Sequence, residues 1–466
     1  MEELKRNELA TKGIGKLLFS MALPAVTAQI INVLYNMVDR MYIGHIPDIG
    51  AAALTGVGIT MPLITVISAF AALVSMGGAP RASIMMGKGE KDTAEKILGN
   101  CAGALVVISL ILTALVLLYG KRIMMLFGAS GNTIGYAMDY INIYACGTIF
   151  VQLALGLNAF ITAQGFAKVS MLTVTIGAIS NIILDPVFIF GFGMGVKGAA
   201  LATIISQAIS AIWVVRFLTG KRTMLKIRKK YLRTDFKVFL PCLLLGLSPF
   251  IMQSTESLIA IVFNTSLQRY GGDLAVGAMT ILTSIMQFSM LPLIGLAQGA
   301  QPIVSFNYGA GNGDRVKKTF LILVKASIAY SGFIWMFAML FPQVLAGIFT
   351  SSPELIKETV IALRIYMAVS FLFGIQISCQ QTFVALGNAK ASVFLALLRK
   401  IILLIPLIYI LPLFMEDRVR AVYLAEPVAD FIAVTVTATM FSYQFAKIMR
   451  GIKKRQAYRE STDIAD

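Results

Sequence analysis

The sequence predicts an all-α polytopic membrane protein: twelve transmembrane helices arranged as two pseudo-symmetric six-helix bundles. Three observations carry that expectation. The chain of 466 residues is 58% hydrophobic and only 14% charged, with a mean hydropathy of +0.80, whereas a soluble chain has roughly a quarter of its residues charged. Apolar runs of about 20 residues, each long enough to cross a bilayer, recur from end to end. Stretches 222 residues apart also repeat one another.

Apolar runs and their breakers place the helices at about 14–39, 51–76, 95–119, 133–158, 169–190, 198–219, 237–265, 274–300, 317–341, 358–385, 391–413 and 420–446. The opening "MEELKRNELATKGIGKLLFS" is charged, and its apolar run continues well past a signal-peptide core with no small-residue cleavage site. It therefore reads as a retained first helix. The net charge of +17 invites a nucleic-acid partner, but the basic residues fall in short connections between apolar runs. An even number of spans puts both termini on one side, and most of the 40 Lys and Arg lie on that side. The excess sets both termini in the cytoplasm and excludes a nucleic-acid function.

Cys101, Cys146, Cys242 and Cys379 lie in or beside apolar segments without a CxxC pair. Buried free thiols are expected, with no metal or disulfide framework. The longest basic connection is "KRTMLKIRKKYLRTDFK", Lys221 to Lys237, with Met224, Ile227 and Tyr231 at helical spacing. It is expected to be a solvated amphipathic linker lying on the cytoplasmic membrane face, in preference to a sensor. The resulting organisation is an N-terminal lobe at 1–220, the linker at 221–236, a C-terminal lobe at 237–446 and a basic cytoplasmic tail at 447–466.

The repeat rests on two stretches in one register. "GGAPRASIMMGKGEKDTAEK" from Gly77 and "GAQPIVSFNYGAGNGDRVKK" from Gly299 agree at seven of twenty places, including Pro80/Pro302, Gly87/Gly309, Gly89/Gly311 and Asp92/Asp314. "TAQGFAKVS" at Thr162 and "VALGNAKAS" at Val384 agree at five of nine. With six helices per half the copies share one orientation. They are parallel repeats about an axis along the membrane normal, an arrangement of alternating-access transporters.

Polar residues inside the apolar runs point to the chemistry. "NIILDPVFIFG", Asn181 to Gly191, places a carboxylate where it costs roughly 2.5–3.5 kcal/mol even on lenient insertion scales. The fifth helix carries Thr173, Gly177, Asn181 and Asp185 in one i+4 row. On the first, Asn32, Tyr35, Asn36 and Asp39 share a face, with Pro24 upstream as a hinge. The fourth has Tyr140, Tyr144, Thr148 and Gln152 in a row, then Asn158. The sixth adds Thr203 and Gln207 after the small-residue run "GAALA", which permits close helix approach. Single polar rows more often knit helices together than bind a ligand. Two membrane carboxylates in one half, Asp39 and Asp185, with no well-placed cation, instead suggest an ion or proton path. Carboxylate, amide and hydroxyl oxygens suit a small hard cation, and the carboxylates alone suit a proton, so H⁺ and Na⁺ both stand.

"NIILDPVFIFG", the first-helix "YNMVDRMYIG", the paired loops "GKGE" and "GAGN" and the twelve-helix duplication resemble the MATE family, multidrug and toxic compound extrusion transporters. The tone of "LLRKIILLIPLIYILP" from Leu397 is similar to the bacterial MepA-like and DinF-like branches. The resemblance covers the whole chain. It implies two bundles around a central cavity and cation-coupled export of amphipathic, often cationic drugs from a bacterial plasma membrane. By position it assigns a cation site to Asp39, Asn181, Asp185 and Thr203. Asn32, Tyr35, Asn36, Tyr140, Asn158, Gln253 and Glu256 become substrate-cavity candidates. No cofactor beyond the coupling ion, no soluble partner and a monomer are expected.

The second half departs from the first. Setting Pro406 opposite Pro186 puts Ile405 where Asp185 stands. Some family members pair a glutamate at the place of Glu256 with an acid on the tenth helix, but only Gln376, Gln380 and Gln381 occur here between Val360 and Ala385. Arg399 and Lys400 are candidate partners for Glu256, either structurally or around a drug cation. His45, the only histidine, reads as a loop residue. Met and Phe can line a forgiving cavity, though most must pack helices or face lipid. A lipid-linked-precursor or metabolite exporter of the same superfamily is the alternative. A membrane enzyme lacks a nucleophile–base pair or metal cluster, and a channel would differ from a carrier in failing to transport uphill.

Overall fold

Glycine and proline set most of the boundaries between the helices. The computed structural model describes residues 8–463, with side chains to residue 454, and every described element is helical. Residues 1–7 and 464–466 of the predicted terminal segments lie outside the described residues. The first half runs α1 (Ile14–Gly44), α2 (Gly50–Lys88), α3 (Lys91–Leu126), α4 (Ile134–Cys146 and Thr148–Ala163), α5 (Ala167–Gly191) and α6 (Val196–Thr219). The second half opens with Phe236–Gly309, a run of 74 residues broken at Gly272, whose φ of 64° and ψ of −158° only glycine adopts readily. The break makes two helices, α7 (236–271) and α8 (273–309). They are followed by α9 (Gly313–Leu340), α10 (Pro353–Tyr366 and Ser370–Ala385), α11 (Ala389–Phe414) and α12 (Arg418–Asp463). Nine stretches are long and apolar enough to span; the two bent pairs and the second half of the broken one bring the described spans to twelve. The last helix continues to Asp463, so most of the predicted tail is helix.

Two compact units divide these helices. One comprises Leu23–Phe250; the other contains the described residues 8–22 and 251–463. One division falls between Ala22 and Leu23 inside α1, beside Pro24, and the other between Phe250 and Ile251 inside α7. In the first unit Ile43, Val57, Ile67, Ile141, Tyr144 and Val151 form a continuous apolar core. In the second, Phe263, Leu282, Tyr366, Leu404 and Tyr423 do so, and the Tyr423 hydroxyl donates to Ala275 O at 2.9 Å. Leu118, Leu126 and Phe414 are among the large apolar side chains left outward, as lipid contact requires. The N-terminal turn is tied to the second unit: Arg315 Nη2 donates to Leu9 O (3.0 Å) and Lys12 O (2.8 Å), and Asn307 Nδ2 to Leu9 O (3.0 Å).

The sequence repeat has a backbone cause. Gly89, Gly165, Gly311 and Gly387 all have left-handed φ, at 83°, 95°, 78° and 75°, and they form two pairs 222 apart. Each ends a helix in a Schellman turn, in which two amides after the helix bond back to two of its last carbonyls. Gly89 N–H donates to Met86 O (3.0 Å) and Glu90 N–H to Met85 O (2.9 Å); in the second half Gly311 donates to Tyr308 O (3.2 Å) and Asn312 to Asn307 O (2.9 Å). Gly165 with Phe166 and Gly387 with Asn388 make the same pair of bonds. The fourth helix of each half is bent, by 59° at Gly147 and by 47° near Val369.

Three expectations are corrected. The linker is not simply solvated: residues 220–235 form bends and one 3₁₀ turn, Lys229–Tyr231, docked on α3 and on Gln164 at the end of α4. A groove left by Gly99 and Gly103 receives it, because a Cβ on Gly103 would stand 2.0 Å from Leu232 O and one on Gly99 2.6 Å from Tyr231 Cβ. Gln164 Oε1 accepts from Thr223 Oγ1, Met224 N and Leu225 N, each at 2.8 Å. Glu95, buried, pairs with Arg228, and Lys96 Nζ with Asp235 Oδ2 at 2.7 Å. Basic charge and helical spacing concealed a segment held by polar contacts. Second, Cys146 is exposed while Cys101, Cys242 and Cys379 are buried; Tyr144 and Ala145 take the inward directions and leave Cys146 outward. Third, the Tyr140–Gln152 row is broken at Gly147, and Gln152 Nε2 donates across to Ile67 O at 2.6 Å, tying α4 to α2.

Replacing Gln164 by Ala removes the acceptor that Thr223, Met224 and Leu225 share and should loosen the dock by about 1–3 kcal/mol, read as faster hydrogen exchange over residues 221–235. The Lys96 ammonium, with the Lys237 amide, holds the Asp235 carboxyl below its ordinary value. A depressed carboxylate stabilises above its unfolded value, near 4, and that contribution is lost as pH falls through the lower folded one. Exchange in this segment should therefore stay slow at neutral pH and rise only below about pH 4, whereas Asp235→Asn should raise it at neutral pH.

Candidate cation site

The i+4 spacing of Asn181 and Asp185 puts both on one face of α5, and Asn181 Nδ2 donates to Asp185 Oδ1 at 3.0 Å. Pro186 has no N–H to return to Ile182, and the helix loosens into a π-turn, Val187–Gly191, where Phe192 N–H reaches Val187 O at 2.8 Å. The irregular turn thus follows directly on the carboxylate. Asp39, on α1, brings its carboxyl within hydrogen-bonding reach of Asp185. All three side chains are buried: Asp185 is 0% exposed, Asn181 2% and Asp39 6%.

Beside them, Thr203 Oγ1 on α6 donates to Ala199 O at 3.0 Å and meets the Tyr140 hydroxyl. Tyr140 stacks on Tyr144 at 6.2 Å between ring centroids, and Tyr35 of α1 faces Asp39. Three buried oxygens, Asp39 Oδ1, Asp185 Oδ2 and Asn181 Oδ1, accept no hydrogen bond. Neither carboxylate has an ion pair among the described residues. Two carboxylates in contact repel unless a positive charge stands between them, and three free oxygens of hard type fit a proton or a small alkali cation.

The other candidates scatter. Asn32 and Asn36 are exposed on α1, with Asn36 Nδ2 bonding back to Asn32 O at 2.6 Å. Asn158 Nδ2 donates to Ser170 O at 3.2 Å and so ties α4 to α5. Gln253 and Glu256 lie in the second unit, on α7; Glu256 Oε1 pairs with Lys400 Nζ at 2.9 Å. Arg399 does not join them. Its Nε pairs with Asp430 Oδ1 (2.5 Å) and its Nη2 with Glu426 Oε1 (3.5 Å), both on α12. His45 is an exposed turn residue, its Nδ1 within 2.7 Å of Met41 O.

Glu426 and Asp430 were missed by the sequence reading. The signal was present: "AEPVAD" sets two acids four apart in an apolar run, and Glu426-Pro427 repeats the acid–proline order of Asp185-Pro186.

Duplicated spans with unpaired carboxylates buried inside one repeat define a multi-pass membrane transporter. The MatE family model matches residues 24–187 and 249–410. The multidrug export protein MepA of Staphylococcus haemolyticus (strain JCSC1435) is 26% identical over 430 residues, 92% of this chain and 94% of that one. MepA of Staphylococcus aureus (strain N315) is 24% identical over 402 residues, 85% and 87% of the two chains. In fold, the chain is similar to a crystal structure of MATE in the bent conformation, with a TM-score of 0.90 at 21% identity over 96% of this chain and 98% of that one. The chain belongs to the MatE family, whose members are transporters.

Removing Arg399 leaves two buried carboxylates facing each other. Arg399→Met should cost about 3–5 kcal/mol, seen as a lower midpoint in thermal unfolding of the detergent-solubilised protein, and Glu426→Gln with Asp430→Asn should restore much of it.

Proposed function

We propose that the protein is a cation-coupled antiporter that exports amphipathic, often cationic small molecules by alternating access. The meeting of Asp39 with Asp185, with three buried oxygens lacking donors, carries this reading. Multidrug export is the named activity of the MepA relatives.

With a proton or Na⁺ between them, Asp39 and Asp185 hold α1 against α5. Without it their repulsion favours α1 moving away. Pro24, at the division of α1 between the two units, leaves Ser20 O without its helical donor and gives the helix a place to bend. Coupling then follows from differential affinity: the cation favours one position of α1 and the exported molecule the other. Asn181 orients Asp185, and Tyr140 with Thr203 lines the site. Tyr35, Asn32 and Asn36 on α1 would move with the helix and so report its position to a bound substrate. Glu256, exposed and paired with Lys400, offers a cationic substrate a carboxylate in the second unit. The setting is a bacterial plasma membrane with both termini cytoplasmic, as the distribution of basic residues favours, and the working unit is a monomer.

Proteoliposomes loaded with a fluorescent organic cation, with pH and Na⁺ gradients imposed separately, test the reading. Asp39→Asn and Asp185→Asn should each reduce gradient-driven transport to the level of empty vesicles while membrane expression and thermal stability stay near wild type. Uphill transport by both variants would refute the mechanism. The gradient that drives the wild type identifies the ion.

A further inference from the structure

The second unit holds a buried ionic group that the exporter reading leaves unused. Arg399 and Lys400 are consecutive residues in a π-turn of α11, Leu398–Leu404. Consecutive side chains leave a helix in widely different directions, so each reaches a different neighbour. Lys400 goes to Glu256 of α7, and Arg399 to Glu426 and Asp430 of α12. The first pair balances in charge. The second does not, since one guanidinium faces two carboxylates whose side chains are only 5% and 2% exposed.

Each of those carboxylates keeps one buried oxygen, Glu426 Oε2 and Asp430 Oδ2, that accepts no hydrogen bond. The neighbouring charges do not supply the missing one. Among the described residues, Glu256, Glu426 and Asp430 stand against Arg399 and Lys400, one carboxylate more than there are cations, and the remaining titratable group facing them is the neutral Tyr366 phenol of α10. Burying an uncompensated charge is strongly unfavourable.

The acids are not a relic of the repeat. In the register that sets Pro406 opposite Pro186, Glu426 and Asp430 stand where the first unit has Ser206 and Ser210. There, α6 is tied to α5 by a neutral bond from Ser210 Oγ to Thr173 O at 3.1 Å. The charged version costs more than the serine version unless something completes it.

We propose that Glu426 and Asp430 bind one exchangeable monovalent cation, H⁺ or Na⁺, at their two unpartnered oxygens, giving the second unit a cation site of its own. The site neutralises the excess carboxylate and does not depend on the exporter reading, because it is read by binding and not by transport.

The test uses the full-length Asp39→Asn/Asp185→Asn protein, purified in detergent, so that the first unit's carboxylates are silent. Two probes are applied: ²²Na⁺ binding over a pH series, and infrared difference spectra of the protonated-carboxyl stretch after a pH jump. The expected result is one ²²Na⁺ bound per chain, or one carboxyl band that vanishes as pH rises, and its loss on adding Glu426→Gln or Asp430→Asn. Should Asp430→Asn fail to give monodisperse protein, Glu426→Gln reads the same loss alone. Silence of both probes in the Asp39→Asn/Asp185→Asn protein overturns the proposal, as does a signal unchanged by every folded Glu426 or Asp430 variant.

Discussion

A carboxylate inside a membrane bundle has to meet a compensating charge, and Asp185 imposes that requirement on everything near it. No Lys or Arg pairs with it among the described residues, so what surrounds it is one amide donor, a second carboxylate on α1 and neutral oxygens. Such a group is stable only with a cation or proton present. The helices that carry it are otherwise held by ordinary packing. Pro186 and the π-turn after it belong to the same economy of placement: regular backbone gives way immediately beyond the acid.

The two repeats share a frame and differ in their interior. Four Schellman turns, two per half and 222 residues apart, end equivalent helices by the same bonds, and the fourth helix of each half is bent. Inside, the first unit joins α5 to α6 through a serine hydroxyl, while the second joins α11 to α12 through an ion triad. Duplication preserved what the backbone needs at its turns. It did not preserve the polar groups between helices, which are free to diverge so long as each buried charge is answered.

That division also explains what could be read in advance. Helix positions were legible because a bilayer demands long apolar runs, and the repeat was legible because left-handed turns demand glycine. Asp39, Asn181 and Asp185 stood out as polar residues in apolar runs, and α1 and α5 bring them together. The break at Gly147 was not legible: the polar row passes through it unchanged, and the close approach of Ile204 that requires the glycine is a tertiary fact. The linker misled because its positive charge reads as that of a solvated segment. Its acceptors, Gln164 and Glu95, lie 59 to 131 residues upstream. Glu426 and Asp430 escaped because the comparison followed the repeat, and the first half has no acid there in either register, with Ile204 and Ala208 at an offset of 222 and Ser206 and Ser210 at the offset set by Pro406 and Pro186.

The docked segment between the repeats has a practical corollary. A chain that lies in a groove between Gly99 and Gly103, with its end continuous with the part of α7 that belongs to the first unit, is not a tether. Severing the gene at the centre of this segment, to express the two repeats separately, would leave the leading fragment without a helix it packs against. A cut after Phe250 would instead fall inside a membrane span. Insertion of tags or fluorescent proteins belongs at the surface turns and not at the sequence midpoint.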